Sequence, residues 1–232
     1  MSALLGGVGL TLLDVYAQAP GPDGINAGCP HIHALTDEAY LGVAGEGAVE
    51  LHDPVAGFRS IPIRAGTYVE FAAGTLHRSV STKGLQVVAL MGNAGLPERG
   101  DARIYFGAEV DADPARYETL RALAEQGLEG ALARRDHAAT AYAALMALWA
   151  RDRAAYGREL TRFLTVHRET LTAAAPKMVA AIRAGPLESA SRALARLSAP
   201  TPTGTRRWEG EAAPVTHGMC GLLRQIAPSE AV

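Results

Sequence analysis

The feature that most constrains this chain is a change in its hydrophobic period near residue 112. Before that point the sequence runs in short segments punctuated by glycine, rich in Val, Thr and Ile. Leu10-Thr11-Leu12-Leu13-Asp14-Val15-Tyr16 alternates as a half-buried strand does. After that point Ala, Leu and Arg dominate, and apolar residues recur every three or four positions, which is the period of an amphipathic helix. The charge balance changes with the period. Residues 1–111 hold twelve acids and six bases, residues 112–200 nine acids and thirteen bases, and residues 201–232 three of each. Three regions follow: an all-β unit over 1–111, a helical region over 112–200, and a partly irregular tail over 201–232.

In the helical region Asp113-Pro114 is a start signal, with Asp as the N-cap and Pro at the first helical position. Tyr117, Leu120, Ala124, Leu128 and Leu132 form one stripe. Tyr142, Leu145, Trp149, Tyr156, Leu160, Phe163, His167 and Leu171 form a second, which predicts one long helix over about 137–173. Pro176 and Gly185-Pro186 then mark breaks that leave short helices near 177–184 and 187–197. So long an aromatic stripe requires cover, from the β unit or from a second copy, and a homodimer is expected. Arg134-Arg135 reads as a solvated helix start, and His137, His167 and His217 as structural residues.

Several function classes are excluded by composition. With 24 acids against 22 bases the chain lacks the basic excess of a dedicated nucleic-acid binder. No run of about 18 apolar residues exists to span a membrane. The N-terminal segment lacks a positive n-region and is interrupted by Asp14, so it reads as a first strand rather than a leader. Two cysteines, Cys29 and Cys220, make no disulfide scaffold, and a cytoplasmic setting is expected.

The informative spacing lies in the β unit. In CPHIHALTDEAYLGVAGEG, His31 and His33 are two apart, so on a strand both imidazoles project from one face. Glu38 follows after a span long enough to turn and return a carboxylate to that side. His77 comes later, in IRAGTYVEFAAGTLHRSVS, just after a turn containing glycine. Three imidazoles and a carboxylate suit a borderline divalent ion: iron, nickel, manganese, cobalt or zinc. Cys29 and Tyr40 share strand parity with these residues. Tyr40 can either hydrogen-bond a substrate or pack in the core, and Cys29 reads as a pocket-lining residue rather than a further ligand or a redox handle. Tyr68 and Glu70 flank the second segment as further acid/base candidates. His52 follows the Gly45-Glu46-Gly47 turn and is expected at the surface.

These two segments resemble the motifs of the cupin superfamily. The first motif, G-x5-H-x-H-x3,4-E-x6-G, is matched by His31, His33, Glu38 and Gly45, with Gly24 displaced by one residue. The second, G-x5-P-x-G-x2-H-x3-N, is matched by Gly66, Gly74 and His77, with Ala72 in place of the proline and Ser81 in place of the asparagine. The resemblance covers about residues 10–110. It implies a mainly β fold, a double-stranded β-helix barrel, followed here by an α-helical C-terminal region. It further implies a metal in the barrel mouth on His31, His33, Glu38 and His77; Glu38, as a base beside the substrate, and Tyr40, by its strand parity, are the candidate catalytic groups. The function expected is that of a metal-dependent enzyme on a small organic substrate. Oxygenase chemistry on iron comes first, and Lewis-acid isomerase, cyclase or lyase chemistry, or simple ligand binding, is the alternative.

Overall fold

The computed structural model describes residues 3–198, 205–210, 213–227 and 230–231. Seven strands come first: β1 (Gly9–Val15), β2 (His31–His33), β3 (Glu38–Asp53), β4 (Gly57–Arg64), β5 (Tyr68–Phe71), β6 (Leu76–Met91) and β7 (Ala102–Ile104). Five helices follow: α1 (Ala108–Asp111), α2 (Pro114–Ala122), α3 (Leu128–Arg151), α4 (Arg153–Ile182) and α5 (Glu188–Ala195). The tail adds β8 (Arg206–Arg207), β9 (Thr216–His217), β10 (Gly221–Gln225) and β11 (Glu230–Ala231).

The expected closed barrel is not formed. Nine strands make one antiparallel sheet whose path runs β4-β3-β6-β1-β10-β9, with β2, β5 and β7 branching from it. Among the described residues β4 pairs only with β3, and β9 only with β10, so the ends of the path do not meet. Barrel closure requires every strand to have two neighbours. The two 16-residue strands instead change partners along their length. β3 pairs with β5 over Glu38–Leu41 and with β4 over Glu46–Asp53, and irregularities between Gly42 and Gly47 bend it in between.

Those irregularities also change the parity of β3. Tyr40 before them and Val49 and Leu51 after them all face the inner core, with Leu13, Val15, Phe71, Val87 and Ala89. The other face of the sheet at β2 and β6 offers Ile32 and Leu76 to the helices. There they pack with Tyr142, Leu145, Tyr156, Leu160 and Phe163. The helical layer therefore covers the back of the strands that carry the histidines.

The start signal at Asp113-Pro114 is used as expected: the Asp113 carboxylate accepts from the N–H groups of Ala115 and Arg116. The single long helix is not formed. It divides at Asp152, which is extended (φ −146°) and caps α4 by accepting from Ala155 N–H at 2.9 Å. The aromatic stripe survives because α3 and α4 each turn their share of it to the same core. Pro176 lies inside α4 and does not end it. Arg134 and Arg135 are buried rather than solvated. Arg134 donates to the Gly218 carbonyl and Arg135 to that of Ala19, so α3 clasps both the tail and the loop after β1.

Candidate metal centre

β2 lies between β6 and β7, and His31 stands directly opposite His77. Strand alternation turns His31, His33 and His77 inward and their neighbours Ile32 and Leu76 outward, toward the helices. Glu38 opens β3 and joins them. One ligand atom from each of His31, His33, Glu38 and His77 lies within 4.8 Å of the others. All four residues are buried, between 1% and 6% exposed.

The partners of the rings decide which nitrogen faces inward. His31 Nδ1 donates to the Cys29 carbonyl at 3.0 Å and His77 Nδ1 to the Thr75 carbonyl at 3.1 Å. A carbonyl only accepts, so both rings carry hydrogen on Nδ1 and leave Nε2 a free lone pair. His33 Nδ1 faces Asp101 Oδ2 at 3.4 Å, and its Nε2 faces Glu38 Oε2 at 3.5 Å. His77 Nε2 is 3.1 Å from the same oxygen. Yet His77 Nε2 and Glu38 Oε2 are buried and make no hydrogen bond of acceptable geometry. Buried polar atoms without good hydrogen bonds are costly, so their convergence suits a cationic partner.

The residues fit a divalent ion. Ligands about 2.0–2.2 Å from an ion stand at most about 4.4 Å apart, so a closing of a few tenths of an ångström suffices. The electrostatics agree. Burial opposes ionisation of Glu38, but His77 and His33 outweigh it and hold the carboxyl below its usual range. Burial likewise opposes a charge on His33, yet Asp101 and Glu38 raise its pKa. Burial, with His77 and His33 beside it, pulls the His31 pKa well down and keeps the ring neutral. The interior thus favours positive charge at its centre.

Tyr40 is fully buried beside the cluster. Its hydroxyl accepts from Ser79 Oγ at 3.2 Å and lies 3.7 Å from Cys220 Sγ. Burial, with Cys220 and Glu38 nearby, raises its pKa well above that of a free phenol, so the group stays a hydrogen-bond donor. Other candidates lie elsewhere. Cys29 packs with Ile104, Phe106 and Val110. Tyr68 is exposed and donates to Glu70, away from the cluster. His52 is wholly buried, not at the surface, because strand parity turns it under α3 and α4.

Two residues of the centre carried no sequence signal. Asp101 backs His33 and also accepts from Leu35 N–H at 2.6 Å. Cys220, at the start of the tail strand β10, places its sulfur 3.4 Å from His31 Nε2. The contact spans 189 positions, and the pairing of β10 with β1 and the Cys29 N–H bond to the Met219 carbonyl bring it about.

No family profile matches the chain, and no curated protein matches it in sequence. Similar solved structures include an oxalate oxidase, 23% identical over 38% of this chain with a TM-score of 0.32; the match spans 42% of that protein's length. A conserved protein with a double-stranded β-helix domain from Klebsiella pneumoniae is 14% identical over 45% of this chain and 78% of its own, with a TM-score of 0.32. A TDP-fucose-3,4-ketoisomerase from Campylobacter jejuni is 7% identical over 42% of this chain and 67% of its own, with a TM-score of 0.34. Each likeness covers less than half of this chain. What the chain carries itself is a His/His/Glu/His cluster able to hold a metal ion.

Proposed function

We propose that this chain is a metal-dependent enzyme acting on a small organic molecule, with the ion held by His31, His33, Glu38 and His77. The observation that carries the reading is the convergence of four buried ligand atoms, one each from His31, His33, Glu38 and His77, within 4.8 Å of one another. When bound, the ion supplies Lewis acidity and, if it is iron, redox chemistry as well. The chain's own residues supply the rest. Cys29 and Thr75 carbonyls and the Asp101 carboxylate fix the three rings. Glu38 stays ionised and is placed to accept a proton from a bound substrate. The Tyr40 hydroxyl donates a hydrogen bond that orients the substrate's oxygen. Phe71, Leu51 and Val87 form apolar walls that keep water out. The acidic balance of residues 1–111, twelve acids against six bases, favours a neutral or weakly anionic substrate. Oxygenase activity is the first activity expected.

Elemental analysis of protein purified without chelator or nickel affinity, beside a His31→Ala/His33→Ala control, tests this. Near-stoichiometric iron in the parent and none in the control is the expected result. It would direct the next step to oxygen-uptake assays. Zinc or nickel would move the reading to Lewis-acid isomerase or lyase chemistry. No metal in either sample, even after reconstitution, would overturn the enzyme reading.

A further inference from the structure

The outer face of the sheet is covered unequally. Behind β2 the helices α3 and α4 seal it, but at β1, β6 and β10 it carries apolar side chains under incomplete cover. Leu10 stands opposite Leu90, and Ile226 N–H bonds to the Leu10 carbonyl. With Leu4 and Val8 these residues floor a groove of 1170 Å³, and Trp208 forms one wall. The Trp208 indole is fixed by donating to the Gln225 carbonyl at 3.1 Å. An antiparallel sheet normally turns polar residues to solvent, so an apolar outer face requires an apolar occupant.

The other wall is α5, and it turns the unexpected side to the groove. Ser189, Arg192, Ala193 and Arg196 line the groove, whereas Leu187, Leu194 and Leu197, on the helix's other side and beyond its end, are 54%, 68% and 85% exposed. Arg206 adds a third guanidinium to the rim. Among the described residues no carboxylate lines the groove. Arg192 shares an exposed contact with Glu188 at 3.4 Å, and Arg196 and Arg206 have no ion pair among the described residues. The arrangement is an apolar floor with a cationic rim.

We propose that this groove binds a single-chain amphiphile with an anionic head, a fatty carboxylate. Its hydrocarbon chain lies over Val8, Leu10, Leu90 and Ile226, and its head meets Arg192, Arg196 and Arg206. The floor explains why the ligand is apolar along its length, and the rim why it ends in a negative charge. The groove lies on the outer face of the sheet, opposite the inner core, so it is independent of the metal centre.

The test is fluorescence titration of the full chain with dansyl-labelled undecanoic acid, followed by competition with dodecanoate and with dodecanol. Saturable binding of one equivalent is expected, with dodecanoate the better competitor. Arg192→Gln/Arg196→Gln/Arg206→Gln replaces only exposed side chains, so it preserves the far-UV circular dichroism. It weakens the carboxylate at least about tenfold and leaves dodecanol unchanged. His31→Ala/His33→Ala binds the probe as the parent does. Equal competition by dodecanol, an unaltered triple variant, or binding lost with the two histidines would each overturn the proposal. So would probe binding that falls as the protein is concentrated, since a second copy would then be the occupant.

Discussion

At the scale of single residues, the candidate metal cluster depends on groups outside its four possible ligands. Asp101 is the clearest. Burial opposes its ionisation, but His33 outweighs this, with Thr36 and the Leu35 N–H adding to it, and the carboxyl is held below its usual range. Its main-chain carbonyl meets His167 Nε2 of α4 at 2.7 Å, so a helix fixes the loop that fixes a ligand. Asp101→Asn keeps the shape and removes the charge behind His33. Metal affinity should fall about 10–100-fold with far-UV circular dichroism unchanged. Competition with a chromogenic chelator reads this directly, and an unaltered affinity would remove Asp101 from the centre. His77→Ala removes a ligand outright and should lower metal content sharply. Full retention would mean that three residues suffice without it. Cys29 shares the strand parity of His31, but it packs beside Ile104 and Phe106. Cys29→Ala should therefore leave metal content unaltered.

At the scale of elements, the helices are tied to the sheet by a buried polar chain as well as by apolar contact. Tyr142 donates to Glu50 Oε2 at 2.9 Å, so its oxygen is an acceptor for His52 Nε2–H at 2.7 Å. His52 Nδ1 is then left to accept from Tyr156 O–H at 2.8 Å. One histidine of β3 thus joins α3 to α4. Tyr142→Phe strands a buried N–H and should cost about 1–3 kcal/mol in chemical denaturation. A cost near zero would mean that the network contributes nothing. Trp149 supports the same junction. Its ring lies 5.0 Å from that of Tyr156, and a Cβ built on Gly57 would stand 2.4 Å from it, so glycine is what admits the indole. Trp149→Ala should lower stability by about 2 kcal/mol without altering metal content. Loss of metal in that variant would mean that the helices help shape the centre. The sequence showed the aromatic stripe because its period is local. It did not show the break at Asp152, because Asp interrupts a helix or caps one according to where the chain can turn. His52 looked exposed because nothing local announced the layer that covers it.

At the scale of the whole molecule, legibility followed sequence distance. His31, His33 and Glu38 lie within eight positions, and with the second motif their spacing disclosed the cluster. Closure of the sheet depends instead on pairings between strands far apart in the chain. There the expectation of a barrel failed, and β10, which brings Cys220 to His31, went unforeseen. The same long-range contacts set how stability responds to acid. Burial between sheet and helices pulls the pKa of His52 from 6.5 to about 3. Above about pH 6.5 the ring is neutral in both the folded and the unfolded chain, and its full contribution is present. Below that the unfolded chain takes a proton that the folded chain refuses. Stability then falls by about 1.4 kcal/mol per pH unit from this side chain until the pH nears 3. His52→Gln keeps a polar partner for the tyrosines and removes the titration. Unfolding free energies at pH 7, 6 and 5 should show the parent losing stability faster than the variant, with the gap narrowing at each step. Parallel slopes would place His52 in contact with solvent, and the junction between sheet and helices would then be open rather than sealed.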